Sequence, residues 1–186
     1  MNKIALIITG GPREDGISSQ MAICLINSLQ KQGWDCRVAT PYKLNLSPCL
    51  VCKKCRVTGI CPINDGFDMQ RELFLTSSLI AISAPTYFAN IPGPLKNMLD
   101  RMNGVILDER AKPKLKDRKG YVLMTSCTTP PPFDRLFRQS SGALRAMNEF
   151  FKMAGMACKG KIVYPGAVGN APLPTNIQRK IERIWV

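Results

Sequence analysis

At 186 residues with 45% apolar side chains, the chain can bury one core and is too short for several domains. No apolar run approaches the ~18 residues of a membrane-spanning helix, and the absence of histidine excludes Ser-His and Cys-His catalysis and His-ligated metals. The formal charge of +13 favours anionic ligands and partners.

Lys3–Thr9 is short, continuous, Ile-rich and ended by glycine, which predicts a buried strand. Residues 9–19, Thr-Gly-Gly-Pro-Arg-Glu-Asp-Gly-Ile-Ser-Ser, cannot continue it and must turn. Ser18 and Ser19 stand where a helix needs side-chain acceptors for its first N–H groups. A strand-to-helix loop offers backbone donors and a positive dipole end to an anion, and Arg13 adds a forked cation. The stretch reads as a phosphate cradle, with an ordinary turn as the plain alternative. Met21, Ala22, Leu25, Ile26 and Leu29 make one helical face over Ser18–Lys31, closed by Gly33.

Asp35–Thr40 follows as a second strand with Cys36, Val38 and Ala39 inward; Cys24 and Cys36 read as small core residues. Phe67–Thr76 is predicted helical through Met69, Leu73 and Phe74, with Asp65 as its cap. Leu79–Ala84 is a third strand, and Leu95, Met98, Leu99 and Met102 share a helix face. Arg110–Lys119 carries six basic residues in ten without interleaved aromatics. That favours a solvated loop over a nucleic-acid site, with docking of an acidic or dinucleotide partner as the alternative. Tyr121–Thr125, a helix over Ser141–Ala154, the strand Ile162–Tyr164 and a helix over Thr175–Trp185 complete the chain.

Strands alternating with helices imply an α/β fold, a five-stranded parallel sheet covered on both faces. Ligands bind such sheets at the carboxyl ends of the strands. Loops 9–19, 84–94 and 125–132 therefore converge on one edge. The N-terminus has one lysine and an apolar run too short for a secretory h-region, so a cytoplasmic location with reduced thiols is expected.

Residues 41–65 break the alternation and hold four of the eight cysteines within thirteen residues, Cys49, Cys52, Cys55 and Cys61. C-x2-C-x2-C lets one tight turn aim three thiolates at a cluster, and Gly59 bends the chain toward a fourth. Lys53, Lys54 and Arg56 would lower thiol pKa and offset cluster charge. A zinc site usually sets two C-x2-C pairs well apart, unlike this run. A cluster and four free thiols remain the two readings.

Gly10-Gly11-Pro12-Arg13, Gly16 and Ser18, followed by Ser83-Ala84-Pro85-Thr86-Tyr87-Phe88, Lys96 and Asp100-Arg101, resemble the NADPH-dependent FMN reductase and flavodoxin-like superfamily. The likeness extends through Thr125–Phe133 and the Gln139–Gly155 helix, and the cysteine run is similar to that of the iron–sulfur flavoproteins. The resemblance implies a flavodoxin-like three-layer sandwich of strand order 2-1-3-4-5. It implies one FMN-binding domain over residues 1–186, with a cysteine-rich insertion at about 45–65. FMN phosphate would lie on Arg13, Ser18, Ser19 and the backbone of Gly10, Gly11 and Gly16. Pro85, Thr86, Tyr87, Phe88 and Asn90 would border the isoalloxazine ring, and Ser126, Thr128 and Thr129 would close another side. Cys49, Cys52, Cys55 and Cys61 would hold a [4Fe–4S] cluster. The family commonly has Ser where this chain has Gly11 and Asn where it has Ile17, which removes two phosphate ligands.

By this resemblance the chain is expected to be an FMN-dependent oxidoreductase. NAD(P)H would give hydride to the flavin, which would reduce a quinone, a nitroaromatic, free flavin or a redox protein. Flavin chemistry of this kind needs no protein acid or base. The rival readings are a non-enzymatic electron carrier reduced by a ferredoxin-like partner and a basic redox-sensing regulator that binds nucleic acid. The resemblance also implies a homodimer or homotetramer.

Overall fold

A computed structural model describes residues 3–107, 110, 112–115 and 120–184. Strands β1 (Ile4–Thr9), β2 (Asp35–Ala39), β3 (Leu79–Pro85), β4 (Gly120–Cys127) and β5 (Ala157–Pro165) form one parallel sheet. Their order is β2-β1-β3-β4-β5, as a flavodoxin-like fold requires. The three central strands are continuous apolar runs because helices cover both of their faces.

Side chains alternate across the sheet. Ala5, Ile7, Ala81, Val122 and Met124 face α1 (Ile17–Lys31) and α8 (Thr175–Glu182). Leu6, Ile8, Ile80, Ile82 and Leu123 face the other layer, which includes α3 (Phe67–Thr76), α4 (Gly93–Arg101), α5 (Asn103–Ile106) and α7 (Gln139–Met153). Phe151 of α7 stacks on Tyr121 at 4.6 Å, and the Tyr121 hydroxyl donates to Asn148 at 2.9 Å, which fixes α7 over β4. Helix α1 ends in a Schellman motif: Gly33 takes φ +80°, Trp34 N donates to Leu29 O, and Gly33 N to Gln30 O.

Departures from the sequence expectations have local causes. Val38 is 52% exposed, because β2 is an edge strand. Met69 is 68% exposed; Phe67, Gln70 and Phe74 are the buried positions of α3. Asp65 does not cap that helix from the N-cap position, which Gly66 occupies at φ +82°. β5 begins at Ala157 rather than Ile162, since an edge strand tolerates Lys159 and Lys161. Three short helices, α2 (Lys54–Thr58), α5 and α6 (Pro131–Phe137), had no periodic signal. α6 starts on consecutive prolines, which fit a first helical turn. Within the basic stretch Arg110–Lys119, residues 111 and 116–119 lie outside the described residues, as does Trp185. Among the described residues no helix is long and apolar enough to cross a membrane.

The close seating of α7 against the loop after β3 can be tested directly. A Cβ at Gly142 would run into the Ala89 carbonyl group. Gly142→Ala should cost about 1–3 kcal/mol, the range for overpacking, read as a lower urea midpoint at unchanged slope.

Candidate functional site

The turn after β1 enters α1 through a gap that only glycine fits. A Cβ at Gly10 would stand 2.7 Å from both Ala84 Cβ and Leu95 Cδ2. One at Gly11 would stand 2.8 Å from Ser18 Oγ and 3.3 Å from Pro85 Cδ. Gly10 N donates to Ser83 O at 2.8 Å, and Ser83 Oγ donates to Ser18 O at 2.6 Å, so β3 holds the turn and the helix start together.

Gly16 is the N-cap of α1, and no side chain caps this helix. Ser18 and Ser19 therefore do not accept the first N–H groups as expected. Ser19 Oγ instead donates to Arg13 O at 2.6 Å, which fixes the loop. The N–H groups of Ile17, Ser18 and Ser19 have no carbonyl within the helix to reach. A helix start with open donors and a positive dipole end is suited to a phosphate.

Arg13 is not an unengaged cation. Its Nε and Nη2 donate to the Asp15 carboxylate, each at 3.2 Å. The Asp15 hydrogen bond and charge hold the Arg13 guanidinium above its usual value, and Arg13 and Asn170 hold Asp15 below the usual carboxylate range. Asn170 Nδ2 reaches Asp15 at 2.9 Å, while Gln20 bonds Asp15 O, Asn170 O and Ala171 O and accepts Leu173 N. Asp15 and Gln20 thus join the first loop to the loop after β5, across more than 150 residues of sequence.

Between these loops lies a cleft of about 250 Å³. Of the predicted residues, Gly11, Arg13, Gly16, Ser18, Pro85, Thr86, Tyr87, Ser126 and Thr128 line it. Gly10, Ser19, Phe88, Asn90 and Thr129 do not. Gly10 and Ser19 hold the loop from behind, and Thr129 O accepts Gly166 N at 2.8 Å. Asn90 Oδ1 accepts Ile91 N, and its backbone closes a two-residue turn on Tyr87. Phe88, 99% exposed, and Ala89 form that turn at φ +48° and +57°. Gln139 Oε1 accepts Ala89 N at 3.0 Å and holds the turn against α7.

Pro12, Ile17, Cys127, Ala167 and Gly169 also line the cleft. The glycines at 166 and 169, just past a strand, were the signal available for the last two. Cys127 is a buried thiol between Ser140 Oγ and Asp134 Oδ1, each at 3.3 Å, and burial pushes its pKa up. A larger groove of about 1060 Å³ runs along α1 and α8, lined by helix flanks rather than by strand ends.

The cysteine segment lies against the start of α5. Burial pushes the Cys55 thiol up, the Gly104 N–H draws it down, and nearby Cys61, Cys49 and Cys52 push it up again. A Cβ at Gly104 would meet Cys55 Cβ at 2.6 Å, so this contact depends on glycine. Four cysteines in one segment match the donor chemistry of an iron–sulfur cluster. Among the described residues no group of three or more His, Cys, Asp or Glu side chains is arranged to hold a single metal ion.

Arg101 of α4 joins the ends of this segment. It pairs with Asp65, donates to Cys61 Sγ at 3.2 Å, Ser47 O at 3.3 Å and Ile63 O at 3.2 Å, and lies 4.4 Å from the centre of the Phe67 ring. Burial alone would push the Asp65 carboxyl up, yet Arg101 and the Ser47 and Phe67 N–H groups hold it below its usual value.

A model of the family described as NADPH-dependent FMN reductase matches residues 3–130. An iron–sulfur flavoprotein of Archaeoglobus fulgidus is 25% identical over 173 residues, 91% of this chain and 73% of that one. A second, from Methanocaldococcus jannaschii, is 28% identical over 94 residues, 50% of this chain and 49% of that protein. The chain thus spans about half the length of this second relative. The NAD(P)H:quinone oxidoreductase of Methanothermobacter marburgensis superposes with a TM-score of 0.74 at 15% identity, over 98% of this chain and 92% of that one. At that identity the likeness is one of fold.

Two measurements check these contacts. Ala89→Gly should stabilise the protein by about 1 kcal/mol, because it relieves a left-handed non-glycine residue; a raised melting temperature reads it. Asp65→Asn should cost about 3–5 kcal/mol at neutral pH by leaving Arg101 buried without its carboxylate. Asp65 is held below its unfolded value, so its contribution is complete above pH ~4 and lost as pH falls through the folded value. The variant should therefore lose less stability than the parent on acidification to pH ~3.

Proposed function

The chain belongs to the NADPH-dependent FMN reductase family, and from that premise we propose that it is an FMN-dependent oxidoreductase using NAD(P)H as electron donor. The observation that carries the site assignment is the convergence of open N–H groups at Ile17–Ser19 with Pro85–Tyr87 and Ser126–Thr128 around one cleft. When bound, FMN supplies hydride acceptance from nicotinamide and onward electron delivery.

Each side chain then has a defined task. Ser18 Oγ and the amides of 17–19 receive the phosphate at the dipole end of α1. Ser18 stands where a side chain at position 11 would begin, so Gly11 accommodates a donor rather than simply losing one. Arg13 reaches the phosphate by exchanging its contact with Asp15, which makes it an adjustable contact. Pro85, Thr86 and Tyr87 border the ring, with Thr86 N fixed by Ser126 O at 2.7 Å. Phe88 is exposed on the turn that follows Tyr87.

The whole of 1–186 acts as one FMN-binding domain with residues 45–65 as its cysteine-rich insertion, placed in the cytoplasm. The cleft volume lies just below the usual range for small-molecule pockets. A bound mononucleotide would therefore leave one side open for an acceptor or for a second copy of the chain. Exposed Phe88, Phe133, Leu136 and Phe137 support assembly as a homodimer or homotetramer. The acceptor is a quinone, nitroaromatic, flavin or redox protein. Cys49, Cys52, Cys55 and Cys61 would hold a [4Fe–4S] cluster supplying one-electron transfer beside the two-electron flavin, a reading that rests on the cysteine spacing and on the iron–sulfur flavoprotein relatives.

Titration with FMN should give a stoichiometric complex whose flavin absorbance bleaches anaerobically on addition of NADPH or NADH. Ser18→Ala should weaken FMN binding about tenfold or more, the worth of a hydrogen bond to a charged group, with folding stability little changed. A chain that binds no FMN after refolding in its presence contradicts the reading.

A further inference from the structure

Residues 9–19 carry one cation, Arg13, and two carboxylates, Glu14 and Asp15, an unfavourable balance for a loop that receives a phosphate. Glu14 is paired with Lys43, and neither lines the cleft. Asp15 stands on Arg13 itself. We propose that Asp15 is a specificity-determining residue whose carboxylate competes with the ligand's phosphate for Arg13 and so limits the preference of the site for FMN over riboflavin; the inference rests on the phosphate-site reading above.

The geometry is that of a stand-in. Arg13 Nε and Nη2 donate to separate Asp15 oxygens, each at 3.2 Å. This is the bidentate fork that a guanidinium also offers to a phosphate, so Asp15 occupies the donors the phosphate needs. The exchange moves few atoms. Ser19 Oγ holds the Arg13 carbonyl at 2.6 Å, and only the arginine side chain has to turn. Asp15 keeps its place without Arg13, because Asn170 Nδ2 donates to its Oδ2 at 2.9 Å and Gln20 Nε2 to its carbonyl at 3.0 Å.

The pair can compete and can also yield. Arg13 and Asn170 hold the Asp15 carboxyl below its usual range, so it competes as an anion at neutral pH. The two side chains are 56% and 58% exposed, which leaves their attraction screened by water and salt. A phosphomonoester carries about −1.5 to −2 at neutral pH, more than one carboxylate, and it also engages the open amides of α1. Riboflavin has no phosphate, makes no demand on Arg13 and is indifferent to Asp15.

Isothermal titration of the full chain with FMN and with riboflavin, at one ionic strength, compares the parent, Asp15→Asn, Arg13→Gln and the double variant. An amide at position 15 still accepts from Asn170 through its oxygen, while the charge that holds Arg13 is gone. Asp15→Asn should bind FMN about threefold to fivefold more tightly, the worth of an exposed ion pair, and riboflavin as the parent does. In the Arg13→Gln background the same change should bring no gain. Unchanged FMN affinity in Asp15→Asn overturns the role of Asp15. A gain that survives the loss of Arg13 overturns it too, since that reports plain repulsion of the phosphate. An equal gain for riboflavin does the same, because it reports a reshaped cleft. Should Asp15→Asn not fold, Asp15→Ser carries the same comparison. A parent that binds FMN no more tightly than riboflavin contradicts the phosphate-site reading itself, and the proposal falls with it.

Discussion

Gly10 and Gly11 let the turn after β1 lie directly against Ala84, Leu95, Ser18 and Pro85, in space where any Cβ would collide. Much of the site depends on that approach. It brings the amino end of α1 beside the carboxyl end of β3, so the open amides of 17–19 face the same cleft as Pro85–Tyr87. The Ser83–Ser18 bond at 2.6 Å then holds the two elements in register. With bulkier residues the helix start would withdraw and the cleft would lose its donor end. The absence of a serine at position 11 is the steric counterpart of Ser18 standing in that space, which makes the departure from the family pattern a relocation.

A second constraint operates on the other side of α4. The cysteine segment has little core of its own: Leu50, Val51, Val57 and Ile60 are all exposed. It is held by Arg101 and Asp65, by the Cys55–Gly104 contact, and by bonds from Asn97 to Leu46 O, Arg71 to Gly59 O and Arg56 to Asn103. Breaking such a buried pair removes more stability than an exposed ion pair supplies, since it strands a desolvated charge. The helix that begins at the edge of the cleft thus ends at the cysteine segment, so one element joins the two regions.

The sheet was legible in the sequence because strands buried on both faces are continuous apolar runs, and Ile4–Ile8, Leu79–Ile82 and Tyr121–Thr125 are such runs. Edge strands were less legible: Val38 alternates as if buried, yet its side chain stays exposed, and β5 begins among polar residues. The short helices α2, α5 and α6 span too few turns to show a period. At the site, the glycine turn and both serines could be read as a unit because the turn is local. The Asp15–Arg13 pair and the Gln20–Asn170 link could not, since they depend on which distant loop closes over the first. Arg101 follows Asp100 in the family-like motif, but its bond to Cys61 exists only once α4 and the segment pack together.

The central claim is that the carboxyl edge of this sheet, and specifically the amides at the start of α1, receives the phosphate of FMN. Backbone amide NMR of the full chain during an FMN titration tests it most directly. The account predicts the largest shifts at Gly11–Ser19, with smaller ones at Thr86, Tyr87, Ser126 and Thr128. Shifts confined to the groove between α1 and α8, with residues 11–19 unmoved, would contradict it.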